Sequence, residues 1–491
     1  MKRLHWLAHP NRNPMRISLN RTFLLAFTLL ALAGCAQNPV SGQNDFVMMS
    51  ESQEVAIGRQ YDAQIKKEYR VYESKALNDY VNSVGQRLAR SSHRPNLQYH
   101  FIVLDSPEIN AFSLPGGYVY ITRGILAYMN SEADLAAVLG HELGHITARH
   151  AVLRQSAAQA ASIGLTIASH YIPGLNTIGG QNLSNIIGGA LLSGYGREQE
   201  LEADRLGAEY LARNGYDPQA IIRVIDTLKN QEAQDAQIAR QEGREPRSYH
   251  GLFATHPDND TRLQQAVGES RRLTVAHPVE GRNEFLAAID GLVFNESSDQ
   301  GVVRNNHFYH GELGVAVTFP ENWQVHNLPD VLVAISPGGE AQLQLKLDRQ
   351  PSGSPTEYAR RAAGYGAQIQ PIEVNNLQGA LIDLPNVVAG VIYLNRQAYI
   401  LEGQAKDRAS LAAHRAEIVS SVRSFHALTA EERKLVKPLV IRVITVRQGD
   451  TWARLAQYSP LGKSAESYLR LINAMYPSGE PRAGQRIKIV E

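Results

Sequence analysis

At 491 residues the chain is too long for one ordinary domain, and about one domain per 150 residues predicts three. A hydrophobic fraction of 43% and a charged fraction of 20% are those of a globular chain and argue against overall disorder. Forty-nine Lys+Arg against 48 Asp+Glu leave a formal net charge of +1, so no nucleic-acid partner is expected. The single cysteine excludes an intrachain disulfide and a Cys-rich zinc site.

Lys2, Arg3, Arg12, Arg16 and Arg21 form a basic stretch ahead of the apolar run Phe23 to Ala33, broken only by Thr28. About 11 apolar residues suit a signal-peptide core and fall short of the roughly 18–20 that span a bilayer. Leu32-Ala33-Gly34-Cys35 resembles a bacterial lipobox, which implies a lipoprotein signal peptide over 1–34 and acyl chains on Cys35. Ala36, in place of Asp, implies the outer membrane, so the mature chain is expected in the periplasm on a lipid anchor. Residues 35–50, polar and containing Asn, Gly and Ser, read as a tether.

From 51 to 275 the pattern is mostly helical, with strand candidates at Tyr99–Leu104 and Tyr118–Ile121 and a Pro115-Gly116-Gly117 turn between them. Residues 160–196 combine Ala, Ile and Leu with eight glycines, which suits a mobile loop or a membrane-seeking hairpin. A composition shift near Pro278 opens a second region, 276–433, expected as a small α+β domain of unknown role. Leu343, Leu345 and Leu347 alternate with polar residues as a half-buried strand, Val387 to Ala405 reads as a hairpin around Asn395-Arg396, and Arg408 to His426 as a closing helix. Residues 434–491 form a third unit.

The segment that carries chemistry is His141-Glu142-Leu143-Gly144-His145, which comes after a helix start at Ser131-Glu132-Ala133-Asp134. Residues four apart on a helix are offset by about 40°, so His141 and His145 project from one face and can share one Zn²⁺. Glu142 lies about 100° round, within reach of a water at the metal without ligating it. Catalytic zinc takes a third protein ligand. The best source is the segment from Tyr195 to Gly207, where Glu200 and Asp204 stand one turn apart while Glu198 and Glu202 point elsewhere. One carboxylate on the metal and one holding a ligand imidazole is the sensible division of that pair. His150, five residues beyond His145, falls off the ligand face and reads as structural.

His141–His145 with the adjoining Arg149-His150-Ala151, Glu200-x-x-x-Asp204-x-x-Gly207, the segment Asn110–Gly117 and Thr255-His256-Pro257 with Arg262 together resemble the zinc metallopeptidase family of HtpX and the CAAX prenyl proteases, peptidase family M48. The likeness covers roughly residues 50 to 270 and points to the periplasmic lipoprotein branch. It implies an α+β chain opening with a mainly helical, zincin-like (gluzincin) domain. It also implies one zinc per chain on His141, His145 and Glu200, with Asp204 supporting a ligand and Glu142 as general base for a zinc-activated water. His256 and Arg262 are implied at the oxyanion, and His256 has a second open role as a latch on the metal. Asn110, Ala111 and Phe112 are expected to offer an edge strand to extended substrate.

Ile444 to Trp452, Leu455-Ala456, Leu469 to Asn473 and Gly484 to Ile489 read as strand, helix, helix and strand, similar to a βααβ LysM module. That likeness implies a peptidoglycan partner for residues 444–491, beside the alternative of a packing domain without ligand. The resulting expectation is a zinc endopeptidase of the bacterial cell envelope that acts on misfolded or misassembled envelope proteins. The alternatives are a latent or non-proteolytic chaperone or peptidoglycan-associated scaffold, and a cell-wall peptide hydrolase.

Overall fold

A computed structural model of the chain describes residues 35–159, 195–242, 268, 272–295, 301–304, 306–327, 331–364 and 366–491. The expected signal peptide, most of the glycine-rich segment 160–196, His256 and Arg262 lie outside these residues. The chain is α+β, with helices and sheets in every part. Among the described residues no helix is long and apolar enough to cross a membrane.

Strands β1 (Cys35–Gln37) and β2 (Asn44–Phe46) pair antiparallel at the start. The reading of 35–50 as a tether is corrected by the packing of residues 47–49. Val47 and Met49 are buried against Val152, and the Met48 N–H donates to Ser156 Oγ at 2.9 Å. Apolar residues two apart on an extended segment share one side, and that side outweighs the polar composition around it. Helix α1 (Glu51–Glu68) then starts at Ser50, which forms a capping box with Gln53. Helix α2 (Lys75–Arg90) buries Leu77, Val81, Val84 and Leu88 along one stripe.

A three-stranded sheet comes next, ordered β3 (His100–Leu104), β5 (Tyr118–Thr122), β4 (Ala111–Leu114). β3 runs parallel to β5 and β4 antiparallel to it, which leaves β4 at an edge. The turn between β4 and β5 needs Gly117, at φ +100°, because a Cβ there would lie 2.2 Å from the Gln98 carbonyl oxygen.

Helix α3 (Glu132–Thr147) runs through the centre, buried at every residue from Ala133 to Thr147. Ser131 Oγ accepts from the Asp134 N–H at its start. Helix α4 (Arg197–Arg213) crosses it where side chains vanish. A Cβ on Gly144 would stand 3.0 Å from both Ala203 Cα and its carbonyl oxygen, and one on Gly207 would stand 3.1 Å from the His141 nitrogen. Helix α5 (Ala220–Glu242) packs against α3.

Helix α6 (Arg282–Ala288) and β6 (Val293–Phe294) place Phe285, Leu286, Ile289, Leu292 and Phe294 in the core built around α3. Residues 282–294 thus pack with the helical unit, ahead of the sheets that begin at Val302. Those sheets are a four-stranded one, ordered β17 (His426–Ala427), β9 (Val315–Thr318), β8 (His307–His310), β7 (Val302–Arg304), and a seven-stranded antiparallel one, ordered β10 (Gln324–Asn327), β11 (Leu332–Ile335), β12 (Ala341–Asp348), β16 (Gln397–Ala405), β15 (Val387–Leu394), β14 (Leu377–Leu384), β13 (Gln368–Val374). Helix α7 (Pro355–Ala363) covers one face, where Ala380, Ala389 and Ala398 make room for it. Helix α8 (Arg408–Ser424) covers the other. Asn395 and Arg396, at φ +51° and +64°, form the hairpin turn between β15 (Val387–Leu394) and β16 (Gln397–Ala405).

The last unit has the order β18 (Leu439–Thr445), α9 (Trp452–Ala456), α10 (Ala465–Ile472), β19 (Arg486–Val490), with β18 between β19 and β6. Its Trp452, Leu469, Ile472 and Ile487 belong to the same core as α3. The join is polar at one point. Lys488 is fully buried and its ammonium donates to the carbonyls of Ala127 at 2.7 Å and Met129 at 2.5 Å, just before α3. Arg282 adds bonds to the carbonyls of Asn130 and Arg486.

Burial holds the Lys488 pKa well below the ordinary 10.5. The unfolded chain therefore binds more protons than the folded one across the window below 10.5, so this group makes stability rise with pH there. Denaturant unfolding at about pH 7.5 and 9.5 should show the parent gaining on Lys488→Met, by up to about 1.4 kcal/mol per pH unit. Parallel pH profiles for the two proteins would disprove it.

Candidate metal centre

The α3–α4 crossing brings three donors to one point. His145 Nε2 lies 3.0 Å from His141 Nε2, and the Glu200 carboxylate lies 3.5 Å from His141 and 3.6 Å from His145. Ligands held tetrahedrally by bonds of about 2.0–2.2 Å stand roughly 3.3–3.6 Å apart; both carboxylate distances fall in that range and the imidazole pair is a few tenths of an ångström closer, and the donor chemistry suits zinc. His141, His145 and Glu200 are the only such group of metal-ligating side chains among the described residues, and all three are buried. Glu142 is fully buried beside them on α3.

The two ligand rings turn their other nitrogens outwards. His141 Nδ1 lies 2.8 Å from Asp204 Oδ1. His145 Nδ1 meets His150 Nδ1 at 2.9 Å, and His150 Nε2 reaches Glu202 at 3.2 Å. His150 and Glu202 are thus part of the centre, against the expectation that both point away. The reason is local: α3 ends at Thr147, Arg149 takes φ +57°, and the next helix, 150–159, starts with a new phase.

That left-handed arginine is tied down by charge. Arg149 Nε donates to Glu54 Oε2 at 3.1 Å and its Nη2 to the Met49 carbonyl at 3.2 Å. Glu54 also receives Arg94, which donates at 2.8 Å from Nη1 and 3.2 Å from Nη2, and Arg94 Nη1 bonds the Ile146 carbonyl at the end of α3. In sequence Glu54 is only an acid in a helix first turn, so nothing there signals this role. A buried carboxylate serving two buried guanidiniums is a structural lock on the end of the metal helix.

Tyr195 closes the other side. Its ring stacks on His145 with centroids 3.8 Å apart at 16°, and the Arg154 guanidinium lies 4.3 Å from its centroid. Burial pushes the Tyr195 hydroxyl pKa well above 10. A pocket beside it is lined by Ser113, Leu114, His145 and Arg149. Ser113 belongs to β4, so the centre and the sheet edge adjoin.

Asn110 and Thr122 exchange hydrogen bonds at the head of β4, the Thr122 N–H to the Asn110 carbonyl at 3.0 Å. The alternation of an antiparallel pair then points the backbone groups of Ala111 and Ser113 away from β5. Asn110 and Ala111 are buried, and Phe112 stacks on Tyr120 at 5.0 Å. With Ala111 at 0% and Ser113 at 7% exposure, the outer edge of β4 is covered in this conformation.

Residues 75–270 match Peptidase family M48. The chain is 29% identical over 262 residues to the beta-barrel assembly-enhancing protease of Yersinia pestis, covering 51% of this chain and 50% of that protein. It is 30% identical over 274 residues to the protein of the same name from Escherichia coli K12, covering 53% of each. Mitochondrial metalloendopeptidase OMA1 of Schizosaccharomyces pombe is 28% identical over 186 residues, 38% of this chain and 51% of that one. The match spans about half the length of each of these relatives. Residues 75–270 are thus similar to Peptidase family M48, and the candidate metal ligands His141, His145 and Glu200 lie within that match.

Proposed function

We propose that this chain is a zinc-dependent endopeptidase of the bacterial cell envelope, hydrolysing peptide bonds of misfolded or misassembled envelope proteins. The observation that carries the reading is the convergence of His141, His145 and Glu200 beside a buried Glu142. A purely structural metal site closes all four positions with protein ligands and has no use for such a base. Zinc in this site supplies a Lewis acid that steadies negative charge on the peptide carbonyl oxygen and makes water more acidic.

The protein side of the reaction then falls to named groups. Glu142 takes a proton from the attacking water and returns it to the departing amine. Asp204 holds His141 in the tautomer that leaves its Nε2 lone pair for the metal. On the family resemblance alone, His256 and Arg262 face the oxyanion, with the latch role of His256 as the other possibility. Extended substrate adds to the outer edge of β4, contacting Asn110, Ala111 and Phe112, which requires that edge to be uncovered first.

The bacterial relatives' name ties them to β-barrel assembly, and we take substrates of this class as the ones for this chain. The lipobox-like segment supports acyl chains on Cys35, in the periplasm at the outer membrane. Because 36–49 are docked on helix 150–159, an anchor there holds the protease near the bilayer with little slack. We read 51–275 as the protease domain, 276–433 as an α+β domain and 434–491 as the LysM-like domain. The βααβ order of the last unit and the exposure of its loops 447–449 and 477–480 support contact with peptidoglycan. One observation favours a second reading, a latent protease or chaperone: the covered edge of β4.

Two variants separate binding from chemistry. Glu142→Gln should keep stoichiometric zinc and lose casein cleavage by about 10²–10⁴-fold. A cleaving Glu142→Gln would remove Glu142 as the base. Gly144→Val pushes α4 away from α3, and ligand distances tolerate only about 0.2 Å, so zinc affinity should fall at least about tenfold. Chelator competition that finds parent-like affinity in Gly144→Val would show that the close crossing does not set the site.

A further inference from the structure

We infer that His150, held by Glu202, is the positioning residue that fixes ligand His145 and thereby sets the strength of metal binding. This role rests on the metal site proposed for His141, His145 and Glu200. Hydrogen placement along a chain of atoms requires it. His141 and His145 point Nε2 at each other and at Glu200, so a ligating role needs both Nε2 atoms unprotonated. Each neutral ring then carries its hydrogen on Nδ1. For His141 that hydrogen goes to Asp204, at 2.8 Å.

For His145 it goes to His150 Nδ1, at 2.9 Å. That nitrogen must accept, so the hydrogen of His150 sits on Nε2. Nε2 faces Glu202 Oε2 at 3.2 Å, a carboxylate that accepts it. Every atom in the series His145, His150, Glu202 is thus assigned one role without contradiction. His150 is buried at 1% exposure, while the Glu202 side chain is about one-third exposed at 34% and also lies 3.7 Å from Arg205.

The two ligands are therefore supported by different chemistry. A carboxylate oxygen approaches His141 Nδ1 directly at 2.8 Å, whereas an imidazole stands between His145 and its carboxylate. Tyr195, stacked 3.8 Å from the His145 ring, limits tilting but offers no acceptor to Nδ1. Rotation of His145 about its ring axis is resisted by the bond to His150. Partners of this kind typically change metal affinity by about 10–100-fold when removed.

The test uses the full chain, Zn²⁺ with a competing chelator, and thermal unfolding of the metal-free protein. His150→Phe keeps a flat ring and deletes the acceptor. It should weaken Zn²⁺ binding by about 10–100-fold, and His150→Gln, whose amide oxygen can accept, should recover most of that loss. Should His150→Phe fail to fold, Glu202→Ala serves instead, because its partly exposed side chain can be removed with little effect on packing; a several-fold loss of affinity is expected.

Co²⁺ gives a second readout that mere packing would not move. The loaded parent should show two exchangeable, paramagnetically shifted imidazole N–H signals, from His141 and His145. In His150→Phe one should exchange rapidly and the other persist. Unchanged Zn²⁺ affinity with both signals protected in the variant overturns the inference and leaves the proposed peptidase intact. A parent that binds neither metal overturns the site and the inference with it.

Discussion

The chemistry of this protein depends on how closely two helices approach. α3 carries two imidazoles and α4 one carboxylate, and side chains this short can meet only if the backbones nearly touch. Gly144 faces Ala203 and Gly140 faces Gly207, with a hypothetical Cβ on Gly140 only 3.4 Å from Gly207. These positions replace a layer of side chains by direct backbone contact. The resulting geometry puts His141, His145 and Glu200 within one ion's reach and leaves Glu142 buried at its side. Small residues here give up apolar burial for ligand placement, an exchange that makes sense only if the site is used.

Around that crossing the protein places charged side chains at both ends of the metal helix. At the start, Lys488 and Arg282 bond carbonyls of residues 127–130, and Arg223 pairs with Asp134 at 3.2 Å. At the end, Arg94 and Arg149 share Glu54 and reach the carbonyls of Ile146 and Met49. Breaking a buried pair from one side typically costs about 3–5 kcal/mol, so the buried Glu54 with Arg94 and Arg149 specifies the end of the helix strongly. Hydrophobic packing alone permits small slides along a helix axis, and fixed polar contacts do not. A metal centre that tolerates only a few tenths of an ångström gains from this arrangement.

Much of this was legible in the sequence because it lies within single elements. The four-residue spacing of His141 and His145, and of Glu200 and Asp204, survives in any regular helix, and the structure keeps both faces. Alternation gave β12 (Ala341–Asp348), and Asn395-Arg396 marked the turn between β15 and β16, since both are local properties. What escaped depends on junctions. His150 is five residues beyond His145, and a regular helix would turn it away; the left-handed Arg149 resets the phase and returns it to the ligand. Lys488 sits in an alternating strand where a charge reads as solvent-facing. That face is covered by residues more than three hundred positions earlier, which no local pattern reveals.

The site and its access are built by different parts of the fold. The ligands, Asp204, His150 and Glu202 come from α3, α4 and the helix after α3, all fixed by the crossing. In the function we propose, access runs along β4, whose Ser113 lines one pocket with Tyr195, and there Ala111 and Ser113 are covered. Adding a strand to β4 therefore demands a local rearrangement near Tyr195, whereas the metal ligands need not move. A peptidase arranged in this way can keep a complete metal centre while its substrate edge is closed. On the proposed function the consequence is separable control: the α3–α4 contact and its charged clamps would govern metal retention, and the cover on β4 would govern which chains reach the metal.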